Sequence, residues 1–259
     1  MSNGTFLVTG ASDGIGAVYA QRLARHGHDL ILVARRTDKL EALARDIRAA
    51  HGVSVETIAA DLSQPADLAR IEARLRTDEA VTGLVNNAGI AGEGPILNAD
   101  AAYLSGMIAL NVLAVTRLAA AIAPRLAQHG SGAIINLSSV TALMPAAFTA
   151  VYPATKAFVL TFSETLHAEL GPKGVRVQAV LPGITRTAIW NEEAMARIPA
   201  GMVMTVDDMV DAALAGFDLG ETVTIPSLPE TEAFDAFVAA REALRPGLSL
   251  STPAARYRG

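Results

Sequence analysis

No cysteine occurs anywhere in this chain of 259 residues. That absence excludes a disulfide framework, a thiol nucleophile and a thiolate metal site, and it fits a reducing compartment. Aromatic residues are scarce at 5%, with a single tryptophan, and charged residues make up 18%. The formal net charge of −5 argues against nucleic acid or an anionic membrane as partner. No His-rich or acid-rich cluster stands out, so no metal is expected. The opening residues, Met1 to Phe6, have no basic region leading into an apolar run, so no signal peptide is expected. No apolar stretch free of charge and turn residues is long enough to span a bilayer. The Ala-rich run from Ala109 to Ala123 contains Arg117, ends at Pro124 and reads as a buried helix. The expectation is a soluble, cytoplasmic protein.

What the chain does have is apolar residues, 51% of the total, in a regular order. Short apolar runs at Thr5 to Thr9, Asp29 to Ala34, Val53 to Ala59, Val81 to Asn86, Gly132 to Leu137 and Val175 to Leu181 read as strands. Helical patterns lie between them, at Gly14 to His26, Asp38 to Ala50, Pro65 to Arg76, Tyr103 to Gln128 and Tyr152 to Leu170. The strands are continuous apolar runs, which suits strands covered on both faces. The predicted fold is α/β: a Rossmann-like, doubly wound parallel sheet of about seven strands with helices on both faces. No linker rich in Gly, Ser or Pro interrupts it, and no repeat is visible, so one domain over 1–259 is expected. After Pro182 the rhythm breaks. A Met-rich segment within 188–217, with Trp190, Met195, Met202 and Met204, is expected to cover the substrate, or else to pack its methionines on the core. A helix at Val206 to Phe217 and a short strand at Thr222 to Ile225 follow. One helix from Glu230 and a loose tail over 245–259 complete the chain.

Two constellations carry chemistry. Between the first strand and first helix, Gly10, Gly14 and Gly16 are spaced G-x-x-x-G-x-G, with Ala11, Ser12, Asp13 and Ile15 between them. Glycines at such a turn let the backbone approach a pyrophosphate, which the helix N-terminus attracts through its free N–H groups. The second strand then ends in Arg35-Arg36, where an NAD site usually has an acid for the ribose 2′-hydroxyl. Two guanidiniums suit a 2′-phosphate instead, so NADP(H) is expected over NAD(H), with Arg35 as first choice of contact and Arg36 second. The second constellation is Tyr152 and Lys156, four residues apart and so on one helical face. An ammonium beside a phenol favours the phenolate, as a tyrosine that trades protons with a carbonyl or alcohol oxygen requires.

With these motifs, Asn86-Asn87-Ala88-Gly89, Asn136-Leu137-Ser138-Ser139 and Pro182-Gly183 followed by Thr187 make the chain resemble the short-chain dehydrogenase/reductase family over roughly residues 5 to 190. The resemblance implies an oxidoreductase that interconverts a ketone or aldehyde and an alcohol, with Tyr152 as general acid or base. Lys156 would assist Tyr152 and hydrogen-bond the nicotinamide ribose. Ser139 would hold the substrate oxygen, with Ser138 as the alternative, and Asn111 would steady a water linking Lys156 to solvent. Asn87, Ala88 and Gly89 would line the adenosine side, and Asp61 and its neighbour Leu62 the adenine. Pro182, Gly183, Thr185 and Thr187 would border the carboxamide.

Two features depart from the family pattern. Asp13 stands where many NADP-preferring members carry Lys or Arg, and the segment Gly220 to Ser227 lacks the usual Gly-Gly ending. The second departure favours a homodimer, through the helices near 103–128 and 152–170, over a homotetramer. The loop from Val140 to Phe148, with Ile189, Trp190 and the methionines, implies an apolar substrate. The competing reading is a non-catalytic NADP-binding sensor or scaffold on the same fold.

Overall fold

The computed structural model describes residues 3–92, 94–144, 149–187, 193 and 196–258. Its order begins β1 (Thr5–Thr9), α1 (Gly14–Arg25), β2 (Asp29–Ala34), α2 (Thr37–His51), β3 (Val55–Ala59), α3 (Pro65–Thr77) and β4 (Val81–Asn86). It continues with α4 (Ala101–Ile108), a π-helical turn (Ala109–Ala114), α5 (Val115–His129), β5 (Gly132–Leu137), α6 (Val151–Leu170), β6 (Val175–Val180), α7 (Val206–Leu219) and β7 (Val223–Thr224). The seven strands form one parallel sheet in the order β3-β2-β1-β4-β5-β6-β7.

Both faces of that sheet are dry. Successive residues of a strand point to opposite faces, so β1 sends Phe6 and Val8 to one core and Leu7 to the other. The first core takes Tyr19 and Leu23 of α1, Leu40 and Ile47 of α2, and Met209 and Val210 of α7. The second takes Leu68, Ile71 and Leu75 of α3 with Leu118, Ile122 and Leu126 of α5. Each such side chain, fully buried, contributes roughly 1.5–3 kcal/mol. This two-sided burial is why the strands read as unbroken apolar runs.

The order reverses between β1 and β4: β2 and β3 lie on one side, β5 to β7 on the other. Outside the carboxyl ends of strands at such a switch point, the connecting segments diverge and leave a crevice. A buried polar ladder stiffens the adjoining strands. Asn86 Nδ2 donates to Asn136 Oδ1 at 2.9 Å, and Asn136 Nδ2 donates to Ser163 Oγ on α6, also at 2.9 Å.

Three features differ from the sequence expectation. The helix predicted over Tyr103 to Gln128 is present, but its middle is a π turn. The continuous stretch Ala101–His129 is also long and apolar enough to cross a membrane, with a mean hydropathy of 1.8; half of that window is buried inside the protein. Arg117 within it pairs with the buried Glu72 of α3, so this helix does what a core helix of the sheet does. Thirdly, the expected cover over 188–217 divides. Its later part is α7, which buries Met209, Val210 and Ala213 and is tied to α1 by Arg22 with Asp207 and Asp211, each at 2.6 Å. Of its earlier part, Trp190 and Met195 lie outside the described residues.

The chain comprises two compact units, Met1–Pro226 and Ser227–Gly259. The second holds α8 (Glu232–Ala243), with Phe234 and Phe237 stacked at 6.1 Å, and short 3-10 turns at Arg245–Gly247 and Ala255–Tyr257 where a loose tail is expected.

Replacing Asn136 by Ala removes both arms of the ladder and strands a buried amide, at a cost of about 1–3 kcal/mol. Urea unfolding is expected to show a lower midpoint with an unchanged slope. A variant as stable as the parent contradicts the ladder's role.

Candidate active site

The crevice is a cavity of about 360 Å³ at the carboxyl ends of β1, β2 and β4. Its floor is the glycine loop, where Gly10, Ser12, Asp13, Gly14 and Ile15 face it. Gly10 and Gly14 have positive φ, 66° and 53°. A Cβ on Gly10 would lie 2.8 Å from Asn87 Nδ2, and one on Gly16 would strike Gly10 O. At Gly10 and Gly16 the loop therefore has no room for a side chain. It delivers the N-terminus of α1 to the cavity, capped by Asp13, whose Oδ1 accepts the Gly14 N–H at 2.8 Å. Thr9 fixes the loop against β4: its Oγ1 accepts the N–H groups of Asn87 and Ala88 at 2.9 and 3.0 Å. The Asn87 amide is spent in the same way, donating to Thr9 O and Gly10 O. Asn87 borders the cavity, as expected, but its side chain holds the loop.

The far wall fits a nucleoside. Asp61 and Leu62 after β3 and Ala88 and Gly89 after β4 line it. Asp61 Oδ1 accepts Ser63 N at 3.0 Å and Ser63 Oγ at 2.7 Å, which fixes the carboxylate. Arg35 and Arg36 line the end at β2. Arg36 is engaged, donating to Ser12 Oγ at 3.0 Å and pairing with Asp13 at 3.4 Å, while Arg35 has no ion pair among the described residues. Lys39, which the sequence reading passes over, also pairs with Asp13, at 2.9 Å. Its signal was present: it lies on the first turn of a helix that begins after two arginines. The Lys39 hydrogen bond is the main reason the Asp13 carboxyl sits below its ordinary pKa, although burial works against it. A cradle with no room for Cβ atoms, a helix N-terminus and a cationic end together fit a phosphorylated dinucleotide.

Beyond the cradle, Tyr152 and Lys156 lie together, and Asn111 and Lys156 both approach Gly89. Pro153 occupies the first turn of α6, where its missing N–H has no helical partner to lose. Tyr152 beside it is half-buried, and Lys156 one turn on is 7% exposed, with Nζ 5.7 Å from the centre of the Tyr152 ring. Lys156 Nζ donates to Leu137 O at 2.8 Å. Burial lowers its pKa from 10.5 to about 8. The two serines at the end of β5 part company. Ser138 Oγ donates to Lys156 O at 2.7 Å and is structural, whereas Ser139 Oγ accepts Thr141 N at 3.2 Å and caps the turn that follows.

Asn111 sits in the π turn, which a helical sequence pattern does not reveal. Its Oδ1 accepts Ile90 N at 2.9 Å, and its Nδ2 donates to Ile90 O at 2.9 Å and to Thr155 Oγ1 at 3.2 Å. Both ends of the amide are thus used to tie the segment after β4 to α6, with Thr155 a partner the sequence reading missed. Gly89 permits the approach: a Cβ there would be 3.1 Å from Asn111 Oδ1 and 3.7 Å from Lys156 Nζ. Pro182 O receives the Val140 N–H at 3.1 Å, and Thr185 Oγ1 donates to Gly183 O at 3.2 Å. Pro182, Gly183 and Thr185 do not line the 360 Å³ cavity, whereas Thr187 does, with its methyl group against Gly14. Ile189 and the Pro145 to Phe148 part of the apolar loop lie outside the described residues.

Known proteins resemble this chain in sequence and fold. A family model described as short chain dehydrogenase matches residues 4–197. A short-chain dehydrogenase from Sphingobium yanoikuyae in complex with NADPH is 50% identical, with a TM-score of 0.94 over 98% of this chain and 100% of that one. The bulky-bulky ketone specific alcohol dehydrogenase from Comamonas testosteroni, in its orthorhombic crystal structure, is 44% identical, with a TM-score of 0.92 over 99% of each chain. The very-long-chain 3-oxoacyl-CoA reductase of Homo sapiens is 37% identical over 187 residues, 71% of this chain and 60% of that protein. The chain therefore spans about 60% of the length of the curated relatives it matches.

The buried Lys156 has a consequence for stability. Between about pH 8 and 10.5 the unfolded chain still holds the proton that the folded protein has released. Stability contributed by this group therefore rises with pH across that window and is flat below it. Chemical unfolding from pH 7.5 to 10.5 is expected to show this rise, on the order of a few kcal/mol, in the parent relative to Lys156→Met. Parallel curves for the two proteins contradict the burial argument.

Proposed function

This chain belongs to the short-chain dehydrogenase family, and on that premise we propose that it is an NADPH-dependent reductase of ketones with apolar groups, Tyr152 being the proton donor. The observation that carries the reading is Lys156 Nζ lying 5.7 Å from the centre of the Tyr152 ring, next to Gly89 of a cradle with a cationic end. NADP(H) is the expected cofactor and NAD(H) a weaker one, because β2 ends in two arginines and no acid. The bound nicotinamide supplies the hydride. Everything else is done by the chain. Tyr152 Oη gives its proton to the substrate oxygen as the carbonyl carbon becomes tetrahedral, and Ser139 Oγ donates a hydrogen bond to the same oxygen. The Lys156 ammonium and the N-terminal turn of α6 stabilise the phenolate left behind. Asn111 positions these groups through Ile90 and Thr155.

The substrate reading draws support from the Comamonas testosteroni enzyme, whose name specifies bulky-bulky ketones, and from the apolar residues Val140, Ala142 and Leu143 after Ser139. A ketone flanked by two large apolar groups is therefore proposed over a sugar or a charged ketone. A homodimer is proposed through the exposed Tyr103, Ile108, Leu113 and Phe158 of the helices over 101–129 and 151–170. A cytoplasmic location is proposed with it.

Absorbance at 340 nm with NADPH and a panel of ketones tests the reading. Diaryl and aryl-alkyl ketones are expected to be reduced faster than sugars, and NADPH to be used more efficiently than NADH. Tyr152→Phe is expected to lose about 10²–10⁴-fold in kcat while retaining NADPH binding by fluorescence titration. An unchanged kcat refutes Tyr152 as the acid; preference for NADH refutes the cofactor reading.

A further inference from the structure

Asp13 places a negative charge in the loop that must receive a phosphate-bearing ligand, and an isolated carboxylate there would repel a 2′-phosphate. It is not isolated. Oδ1 is held by the Gly14 N–H, while Oδ2 accepts Lys39 Nζ at 2.9 Å and Arg36 Nη2 at 3.4 Å. Lys39 lies in the first turn of α2, where the helix dipole disfavours a cation. A lysine placed there turns towards any nearby anion, and Asp13 is the anion it finds. The pair is fixed from both ends, since the acid caps α1 and the lysine belongs to α2. Of the pair, Asp13 lines the cavity, beside Ser12, Arg35 and Arg36, and Lys39 reaches its edge through Asp13.

We infer that Lys39 is a specificity-determining contact for the cofactor's ribose 2′-phosphate, and that Asp13 is a competing anion that engages Lys39 and Arg36 until the phosphate takes them. This inference rests on the NADP(H) reading above. The exchange follows from charge. A phosphate monoester carries close to two negative charges and three acceptor oxygens, against one charge on the carboxylate. It offers each cation a stronger partner, and Arg36 a forked one. Lys39 and Arg36 need only swing from Asp13 towards a neighbouring anion, because both are about half exposed and only their tips are bound. The positive charge that the glycine loop lacks at position 13 thus comes from α2 instead.

Calorimetric titration with 2′,5′-ADP and 5′-AMP tests this without turnover. The parent is expected to bind 2′,5′-ADP more tightly. Lys39→Met is expected to weaken 2′,5′-ADP about 5- to 20-fold and leave 5′-AMP within twofold. Asp13→Asn keeps the cap on α1, since Asn caps as well as Asp, and removes the competing charge. It is expected to tighten 2′,5′-ADP about 2- to 10-fold, with 5′-AMP unchanged. A parent that binds the two nucleotides alike overturns the NADP(H) reading and this inference with it. A parent that discriminates overturns the inference alone if Lys39→Met matches it, if that variant weakens both ligands equally, or if Asp13→Asn weakens 2′,5′-ADP.

Discussion

The arrangement depends on one buried ammonium. Lys156 Nζ is held in low-dielectric surroundings by the carbonyl of Leu137, and that desolvation lowers its pKa to about 8. A charged amine in such a place is unfavourable unless nearby groups need it there. Its neighbours are arranged accordingly. Ser138 grips the lysine's own carbonyl, Thr155 bridges the Tyr152 carbonyl and Asn111, and Gly89 keeps its side clear. The lysine is thus fixed from β5, from α6 and from the segment after β4. A small displacement of any of these would move the charge relative to the phenol.

The same economy of small residues governs the nucleotide end. Gly10 and Gly16 let α1, the loop and the Asn87 amide pack with no intervening side chains. What the loop loses in side chains it recovers in backbone donors and in the cations at the start of α2. The two ends meet at the segment after β4, where Asn87 holds the glycine loop and Gly89 and Ile90 reach Asn111. The switch point of the sheet places the nucleotide end in the crevice, and Gly89 on its wall adjoins Lys156.

Much of this was legible in the sequence. Apolar runs without alternation report strands covered on both faces, and the buried apolar clusters on each side of β1 and β2 bear that reading out. Tyr152 and Lys156 were legible because four residues of helix put them on one face. Other features depend on geometry that one-dimensional patterns do not carry. Ser138 and Ser139 are chemically alike, and only the direction in which the chain leaves β5 separates them: Ser138 Oγ binds Lys156 O, whereas Ser139 Oγ caps the turn that follows. The π turn at Asn111 changes the helical phase without changing composition. Asp13 looked like an obstacle to phosphate because its partner Lys39 lies 26 residues away. The bonds of Asn87 likewise reach 77 and 78 residues back.

The central claim is that a nicotinamide bound in this crevice reduces a ketone whose oxygen is protonated by Tyr152. The most direct measurement is the fate of deuterium from NADPH labelled at nicotinamide C4, with each of the two stereoisomers, during reduction of a diaryl ketone. Mass spectrometry and proton NMR of the alcohol are expected to show one deuterium on the carbinol carbon from one stereoisomer, with far less labelled alcohol formed in the same time by Tyr152→Phe. Alcohol that carries no deuterium from either stereoisomer, or equal labelling by the Tyr152→Phe variant, would contradict the account.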